Sequence, residues 1–438
     1  MTNKILLILV LLSTSIGFSQ DEKTSFTLQE AIDYALENNR QAKNATLDID
    51  AAEQQKWETT ATGLPQLNAA VDYQNALKRN VFVIGNEFLE VGPKQSLSAT
   101  ATLSQLLFDG SYLVGLQSAK VFLEISKNAK EKTDLEVRKA VINAYGNILL
   151  AEESLEILKR NISVLEKNLN DITKIYENGL EEEESVEQLK ITLSGVKSNL
   201  NNVIRLRDLS YQMFNITIGK PIDAVTTLSE NLQLLTEQNI VLSLLEANND
   251  VTNTIDYRIS ENDKNAKALL VKLEKSKGLP SLNASLNGGY IANRENFNFT
   301  NTGEKWFGSS LFGVGLNIPI FSSGMRNAAM ERAKINLEKA EIALTETEQK
   351  LKLQIASSKS NYQFAIEDYQ NKKENLKLAE RIEKKNQTKF FEGLSSSFDL
   401  RQAQTQLYTA QDELLQTMLD VINKKAELET VLNEISKN

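Results

Sequence analysis

The sequence contains no cysteine and no histidine. Without cysteine the chain has no disulfide bond, no thiolate metal site, no cysteine nucleophile and no lipid anchor on an N-terminal cysteine. Without histidine it lacks the commonest general base and metal ligand, and a Ser-His-Asp arrangement is excluded. We therefore expect a protein that is not an enzyme and that uses no metal site and no cofactor.

The chain also lacks an excess of positive charge and has few long hydrophobic runs. The formal net charge is −9, opposite in sign to surfaces that bind nucleic acid, so no nucleic-acid partner is expected. The N-terminal apolar run Ile5–Leu12 is too short to cross a bilayer, which disfavours an anchoring helix. It follows Lys4 and precedes the small residue Ser19, a pattern that predicts a signal peptide over residues 1–19 and export of the mature chain.

Two stretches with no proline and little glycine predict two very long helices. The first, Ser111–Glu177, repeats apolar residues in alternating steps of three and four from Leu155 to Tyr176. This spacing is a coiled-coil seam, because a 3.5-residue repeat keeps one stripe facing a partner helix. At about 1.5 Å per residue, such a helix is roughly 100 Å long. The second stretch, Met325–Phe391, has a matching length.

Each long helix is followed by a glycine and a leucine, at Gly179-Leu180 and at Gly393-Leu394. A glycine just beyond a helix favours a left-handed C-cap, and here it predicts a reversal into a returning helix. Glu181–Glu184 then lie in the first turn of the first returning helix, where negative charge suits the helix dipole. The sequence therefore predicts two long helical hairpins.

Before the long helices, the hydrophobic period changes from helical to two, which predicts β-strands about ten residues long. Four stretches alternate apolar with small polar side chains: Gln66–Gln74, Ser96–Ser104, Ser281–Tyr290 and Phe312–Ile320. A helix is predicted over Phe26–Thr62, with Thr27 and Glu30 as its capping box, and Leu77–Lys94 is predicted as a loop.

The same order of landmarks occurs twice along the chain. The offsets are 215 residues from Gly63 to Gly278, 213 from Phe108 to Phe321 and 214 from Gly179 to Gly393. This agreement predicts a tandem duplication. We assign residues 20–218 to the first repeat, 219–250 to an equatorial connector and 251–438 to the second repeat; each repeat contains a helix, two strands, a long helix and a returning helix.

Four strands of this kind cannot enclose a barrel alone, and an open sheet leaves unpaired edge groups that lipid does not tolerate. Several chains are therefore needed: two supply eight strands, about the size that side chains fill, and three supply twelve, wide enough for a lumen. The polar strand faces carry Ser, Thr, Asn and Gln, which suits a wet interior. The sequence thus predicts a mainly α-helical protein with a membrane β-barrel built from several copies.

These features together resemble the TolC-like outer membrane efflux family. The resemblance is carried by the duplicated plan, by Leu64-Pro65 and Leu279-Pro280 before the outgoing strands, and by the Tyr-Glu-Asn-Gly-Leu and Phe-Glu-Gly-Leu reversals. It implies a homotrimer in the outer membrane with a twelve-stranded barrel on a long periplasmic α-helical tunnel. It further implies a passive exit duct for an efflux or type I secretion system, docked by a periplasmic adaptor to an inner-membrane pump.

The alternative from a different class is an exported periplasmic coiled-coil scaffold. It accounts for the long helices and for the lack of catalytic side chains, but it does not account for two pairs of alternating strands at matching points of the repeat. An SDS-resistant oligomer in the outer-membrane fraction favours the duct, whereas a soluble periplasmic product favours the scaffold.

The resemblance also implies roles for residues near the two reversals. Gly179, Leu180, Gly393 and Leu394 are the expected adaptor-docking tips. Asp399 lies six residues after Gly393 and matches an aspartate that lines the closed periplasmic entrance in such ducts, whereas Gln402 occupies the place of a second one. The equivalent positions of the first repeat are Ser185 and Gln188, and Arg401 is expected to hold the closed state through a neighbouring helix.

A simpler interpretation of Asp399 needs no gate. Ser396 followed three residues later by Asp399 predicts a helix N-cap with an acidic residue in the first turn. The two interpretations are compatible with each other, and the sequence leaves both open.

Overall fold

The computed structural model describes residues 24–247, 250–301, 303 and 305–434; the predicted signal peptide, residues 1–19, lies outside them. The chain divides into two compact units. One unit, here called the hairpin unit, comprises Met1–Lys43, Thr133–Asn249 and Leu353–Asn438. The other, the strand unit, comprises Asn44–Lys132 and Asp250–Lys352.

Eight α-helices are formed by the described residues, together with two short 3-10 turns at Leu242–Glu246 and Val251–Asn253. In chain order the helices are α1 (Leu28–Asn38), α2 (Arg40–Ala61), α3 (Gly110–Glu177), α4 (Glu183–Ile218), α5 (Leu232–Gln238), α6 (Ile255–Ser276), α7 (Met325–Phe391) and α8 (Ser397–Leu432). The predicted long helices are confirmed as α3, with 68 residues, and α7, with 67. Their returning helices α4 and α8 each have 36 residues.

The described residues also form eight β-strands: β1 (Ser25–Phe26), β2 (Gln66–Asn75), β3 (Asn80–Ile84), β4 (Glu87–Val91), β5 (Gln95–Phe108), β6 (Thr227–Leu228), β7 (Ser281–Arg294) and β8 (Phe307–Asn317). The four predicted strands are β2, β5, β7 and β8. The last of them ends at Asn317, so Ile318–Ile320 lie beyond it, contrary to the prediction.

The strand unit contains a four-stranded antiparallel sheet in the order β2-β5-β7-β8. Its register aligns Leu67 with Leu103, Leu103 with Leu286 and Leu286 with Phe312, so one face carries a row of apolar side chains. On the other face the Asn287 amide donates to Thr102 Oγ1 at 2.8 Å. Strands β2 and β8 are the two edges of this sheet, with no further neighbour among the described strands.

The predicted helix over Phe26–Thr62 is interrupted, which corrects the sequence interpretation. Thr27 and Glu30 form the predicted capping box of α1, but α1 ends at Asn38, and its C-cap residue Asn39 has ψ of 136°. The Asn39 amide nitrogen donates to the Thr217 carbonyl at 2.7 Å, and its Oδ1 accepts from the Gln41 backbone N–H at 2.7 Å. A tertiary contact therefore turns the chain and caps the next helix.

The segment Leu77–Lys94, predicted as a loop, contains the short antiparallel hairpin β3–β4. Gly85 has φ of 66° at its turn, a backbone region that glycine adopts readily. Both strands are exposed along their whole length. The Gly85-Asn86 pair between two apolar runs was the sequence signal for this hairpin.

The hairpin unit is held together by burial of the predicted heptad seam. Leu155, Leu158, Ile162, Leu165 and Ile172 are all buried. The lower part of this seam packs in one cluster with residues of α4, α7 and α8, namely Val186, Leu189, Leu193, Phe390 and Leu400. The coiled-coil prediction is thereby confirmed from Leu155 to Ile172, whereas Tyr176, the last residue of the predicted seam, is exposed. The two hairpins share one apolar core.

The segment after α4 lies against the start of α1 in the hairpin unit. Strand β1 pairs in parallel with β6. The Tyr145 hydroxyl lies 3.1 Å from the Phe26 carbonyl oxygen and 3.0 Å from a Glu230 carboxylate oxygen, and it can donate to either. Burial raises the pKa of Tyr145, and the negative charge of Glu230 raises it further.

No helix of the described residues combines the length and hydropathy needed to cross a membrane.

Candidate functional site

The two reversals have the same backbone geometry. Gly179 has φ of 74° and Gly393 has φ of 73°. The Leu180 backbone N–H donates to the Ile175 carbonyl at 3.1 Å, and the Leu394 N–H donates to Lys389 at 2.8 Å. These six-to-one bonds satisfy carbonyls that the helix end leaves free, as in a Schellman motif. Both glycines therefore have the left-handed conformation expected from the sequence.

The leucine after each glycine faces solvent. Leu180 is 78% exposed and Leu394 is 72% exposed. A large apolar side chain that is not buried by its own hairpin contributes little to the stability of that hairpin. One exposed leucine is ordinary, but the same residue at the same exposed turn of both repeats is a candidate contact surface.

Asp399 forms the capping box at the start of α8. The Ser396 hydroxyl donates to Asp399 Oδ2 at 2.7 Å, and the Asp399 backbone N–H donates to Ser396 Oγ at 3.2 Å. The Ser395 hydroxyl donates to the same carboxylate oxygen at 3.2 Å. The hydrogen bond from the Ser396 side chain is the main reason that the pKa of Asp399 is lowered. In one chain, the carboxylate thus acts as a helix cap.

The first returning helix begins differently. Its N-cap residue, Glu182, makes no capping hydrogen bond with its side chain. At the position equivalent to Asp399, the buried Ser185 donates its hydroxyl to Glu181 Oε1 at 2.5 Å. In α4 the acceptor Glu181 comes four residues before the donor Ser185. In α8 the order is reversed, because the acceptor Asp399 comes four residues after the donor Ser395.

Three of the predicted gate residues lie around one small crevice between the two hairpins. Ser185 and Gln188 from α4 line it together with Arg401 and Gln404 from α8. The Gln188 amide donates to Glu184 at 2.6 Å, and the Arg401 guanidinium lies 5.4 Å from the centre of the Phe398 ring. Asp399 and Gln402 do not line this crevice and are exposed.

Sequence reasoning missed Gln404, which is only 1% exposed. It lies four residues after the buried Leu400, so it occupies a position where helical periodicity predicts an apolar side chain. That mismatch between a polar residue and a core position was the signal that could have identified it.

The electrostatics of the two hairpin ends are opposite. Residues 170–190 carry seven acidic and two basic side chains, a formal net charge of −5. The equivalent residues 384–404 carry two acidic and four basic side chains, a formal net charge of +2. The two reversals therefore offer the same backbone turn and the same leucine in different electrostatic surroundings.

Comparison with known proteins connects this architecture to a family. The family model described as "Outer membrane efflux protein" matches residues 31–212 and 262–434, which is most of the chain. The chain belongs to the outer membrane efflux protein family. Members of this family are outer membrane proteins, so the chain is assigned to the outer membrane.

Relatives of this outer membrane efflux protein share its length. Outer membrane protein TolC of Vibrio cholerae is 23% identical over 440 residues, covering 97% of this chain and 94% of that protein. The solved structure of VceC from Vibrio cholerae is 17% identical, with a TM-score of 0.75 over 93% of this chain and 96% of VceC.

Two further outer membrane channels of known structure have the same fold. CmeC of Campylobacter jejuni matches with a TM-score of 0.74 and 17% identity, over 95% of this chain and 90% of CmeC. The open state of MtrE from Neisseria gonorrhoeae matches with a TM-score of 0.73 and 19% identity, over 93% of this chain and 89% of MtrE. This efflux family member thus has the channel fold along nearly its whole length.

Proposed function

We propose that this chain is the exit duct of a tripartite efflux or type I secretion system. Three copies form the duct, a periplasmic adaptor docks on its helical hairpins, and an inner-membrane pump supplies the energy while the duct conducts passively. The observation that carries the proposal is the pair of equivalent reversals, each with a left-handed glycine and a leucine more than 70% exposed. Membership of the efflux family supports the same conclusion.

Assembly from several copies is supported by the sheet. Its edge strands β2 and β8 have no further strand partner among the described residues, and an unpaired edge inside lipid carries an energetic penalty of several kcal/mol for each backbone group. Three copies pair β8 of one chain with β2 of the next and give a twelve-stranded barrel. We expect a stable trimer in detergent; a folded, membrane-inserted monomer by native mass spectrometry contradicts this assembly.

The docking role is tested at the two exposed leucines. Leu180→Asp combined with Leu394→Asp should leave the trimer intact and abolish export, because a charge replaces the apolar contact with the adaptor. The matched control is Leu180→Met with Leu394→Met, which keeps an apolar side chain and should retain export. Export that survives the aspartate pair unchanged shows that the reversals are not the docking tips.

Asp399 also has a proposed second role in the assembled duct, where three copies of its carboxylate surround one axis and attract cations. Its three hydrogen bonds from Ser395 and Ser396 leave the cap and gate roles compatible. Single-channel conductance with divalent or trivalent cations added from the periplasmic side separates them. Block that disappears in Asp399→Ala supports the ring, whereas unchanged block with a lower melting temperature leaves only the cap.

A further inference from the structure

Two polar layers cross the apolar core of the hairpin unit, and they differ in hydrogen bonding. The upper layer lies 18 residues from both reversals, where Asn161 Nδ2 donates to Gln411 Oε1 at 2.8 Å. The lower layer, nearer the reversals, consists of Asn168, Gln188 and Gln404. In the lower layer, several buried polar atoms have no hydrogen-bond partner among the described residues.

Each member of the lower layer has a buried polar atom without a hydrogen-bond partner among the described residues. These atoms are Nδ2 of Asn168, Oε1 of Gln188 and both amide atoms of Gln404. Asn168 and Gln404 are each only 1% exposed. A direct hydrogen bond joins this layer to α7: the Gln387 amide donates to Asn168 Oδ1 at 3.1 Å.

The groups around Gln404 do not complete its hydrogen bonding. The Glu383 carboxyl on α7 interacts with the Gln404 amide, outside normal hydrogen-bond geometry; burial raises the pKa of Glu383 and this interaction lowers it by a smaller amount. Arg401 lines the same crevice, but its guanidinium is stacked on Phe398. The crevice has about 10 Å³ of space, which is room for at most about one water molecule. Asn168 does not line it, so a water there cannot give every unpaired atom of the layer a partner.

We propose that Asn168, Gln188 and Gln404 form a polar layer that sets where the two hairpins separate when the duct opens. A buried polar group without a partner destabilises the packed state, whereas in the separated state water satisfies it. The apolar contacts of Leu165 and the satisfied Asn161–Gln411 pair resist separation just above. The hairpins therefore part up to this layer and stay joined beyond it. This inference rests on the proposed duct function for its conductance readout only.

The test compares one substitution in each layer. Gln404→Met keeps the length of the side chain and removes two unpaired polar atoms, so it should raise the melting temperature, by about 2 °C or more. Gln411→Met removes the partner of Asn161 and should lower it. Gln406→Met, at an exposed position on the same helix, controls for the change of residue type and should have no effect.

Separation of the hairpins is measured directly with spin labels. Because the chain contains no cysteine, labels at Glu187→Cys and Thr405→Cys, both exposed, report the distance between α4 and α8. The wild-type trimer should show a broad or two-component distribution, and Gln404→Met should narrow it to the shorter component and lower the open probability about fivefold. Gln188→Met is the second variant and should act in the same direction.

Two results overturn the proposal. One is that Gln404→Met lowers the melting temperature as Gln411→Met does, which shows that Gln404 is a needed structural partner. The other is that the distance distribution is the same in wild type and in Gln404→Met. If wild-type trimers show no conductance at all, the proposed duct function fails, yet the melting and distance measurements still decide the role of the polar layer.

Discussion

The two reversals of this protein share a backbone but differ in chemistry. Gly179 and Gly393 have φ angles within one degree of each other, and both are followed by an exposed leucine. However, residues 170–190 around the first turn carry a formal net charge of −5, whereas residues 384–404 around the second carry +2. Of the two returning helices, α8 has a side-chain cap and α4 does not. The two turns thus share one backbone geometry while the side chains around them differ.

The long helices that lead into these turns differ in the same way. Leu165, fully buried in α3, is replaced 214 residues later by Ala379 in α7, which is 3% exposed. Equal helix lengths do not require equal cores, because each side chain only needs to fill the space left by its neighbours. Helix length and turn geometry are therefore the same in both hairpins, whereas local stability depends on core side chains that differ between them.

The largest expected effect on stability comes from the two core positions. Leu165→Ala should destabilise the hairpin unit by about 2–5 kcal/mol, because it removes a fully buried side chain and leaves a cavity. Ala379→Gly should lower stability by only about 1 kcal/mol, mainly through backbone freedom. Chemical denaturation of the purified protein measures both losses; equal losses show that the two helices carry equal shares of the core.

A smaller effect tests whether the two turns are equivalent. Gly179→Ala and Gly393→Ala should each destabilise the protein by about 1–2 kcal/mol, since a left-handed φ is unfavourable for alanine. An added Cβ meets nothing within 4 Å at either position, so no steric clash contributes. Thermal unfolding of the two variants should give matching shifts, and a clear difference shows that one turn is supported by its surroundings.

The N-cap residues of α8 and α4 should differ by about 1 kcal/mol in their contributions to the stability of the protein. Ser396→Ala removes the hydroxyl that caps α8 and should lower stability by about that amount. Glu182→Ala, at the N-cap of α4, removes no capping hydrogen bond and should leave stability nearly unchanged. Amide hydrogen exchange in the first turn of each returning helix measures the two effects separately. We expect faster exchange in Ser396→Ala only; an equal increase in the exchange rate in Glu182→Ala contradicts the difference in capping.

The smallest expected effect is a dependence on pH. The hydrogen bonds to Asp399 lower its pKa in the folded state, so its contribution to stability is complete above the unfolded pKa of about 3.9. This contribution is lost as the pH falls through the lower, folded pKa. Asp399→Asn should remove that acid-dependent step from thermal unfolding, whereas Ser185→Ala, at the equivalent position of the first repeat, should keep it.

Local sequence rules identified most of the frame. The bounds of α7 were predicted correctly, and α3 begins one residue earlier than expected. Both helices were predictable because neither stretch contains proline and each is followed, two residues after its end, by a glycine. The signal for the β3–β4 hairpin was present at Gly85-Asn86 but was not used. The repeat boundaries 20–218 and 251–438, and the docking and gate roles of the tip residues, stay predictions.

Features set by tertiary contact were beyond sequence reasoning. The break at Asn39 depends on a hydrogen bond to Thr217, which lies 178 residues away. The meeting of Ser185, Gln188, Arg401 and Gln404 depends on how two hairpins pack. Gln402, one residue after Arg401 on the same helix, is left out of that crevice because the lining residues Ser397, Leu400, Arg401 and Gln404 share one helix face at a spacing of three and four residues. That periodicity is in the sequence, whereas the helix that this face meets is not.

The open surroundings of the two turns have a consequence for how such a protein diversifies. Because Leu180 and Leu394 are mostly exposed, substitutions at these two positions leave the buried seam undisturbed, whereas the left-handed glycines before them are constrained by their backbone. The two leucine positions can therefore accumulate changes without a selective penalty in folding. Under the proposed docking role, such changes retune recognition of the adaptor, and specificity and stability are then encoded in separate residues that evolve independently.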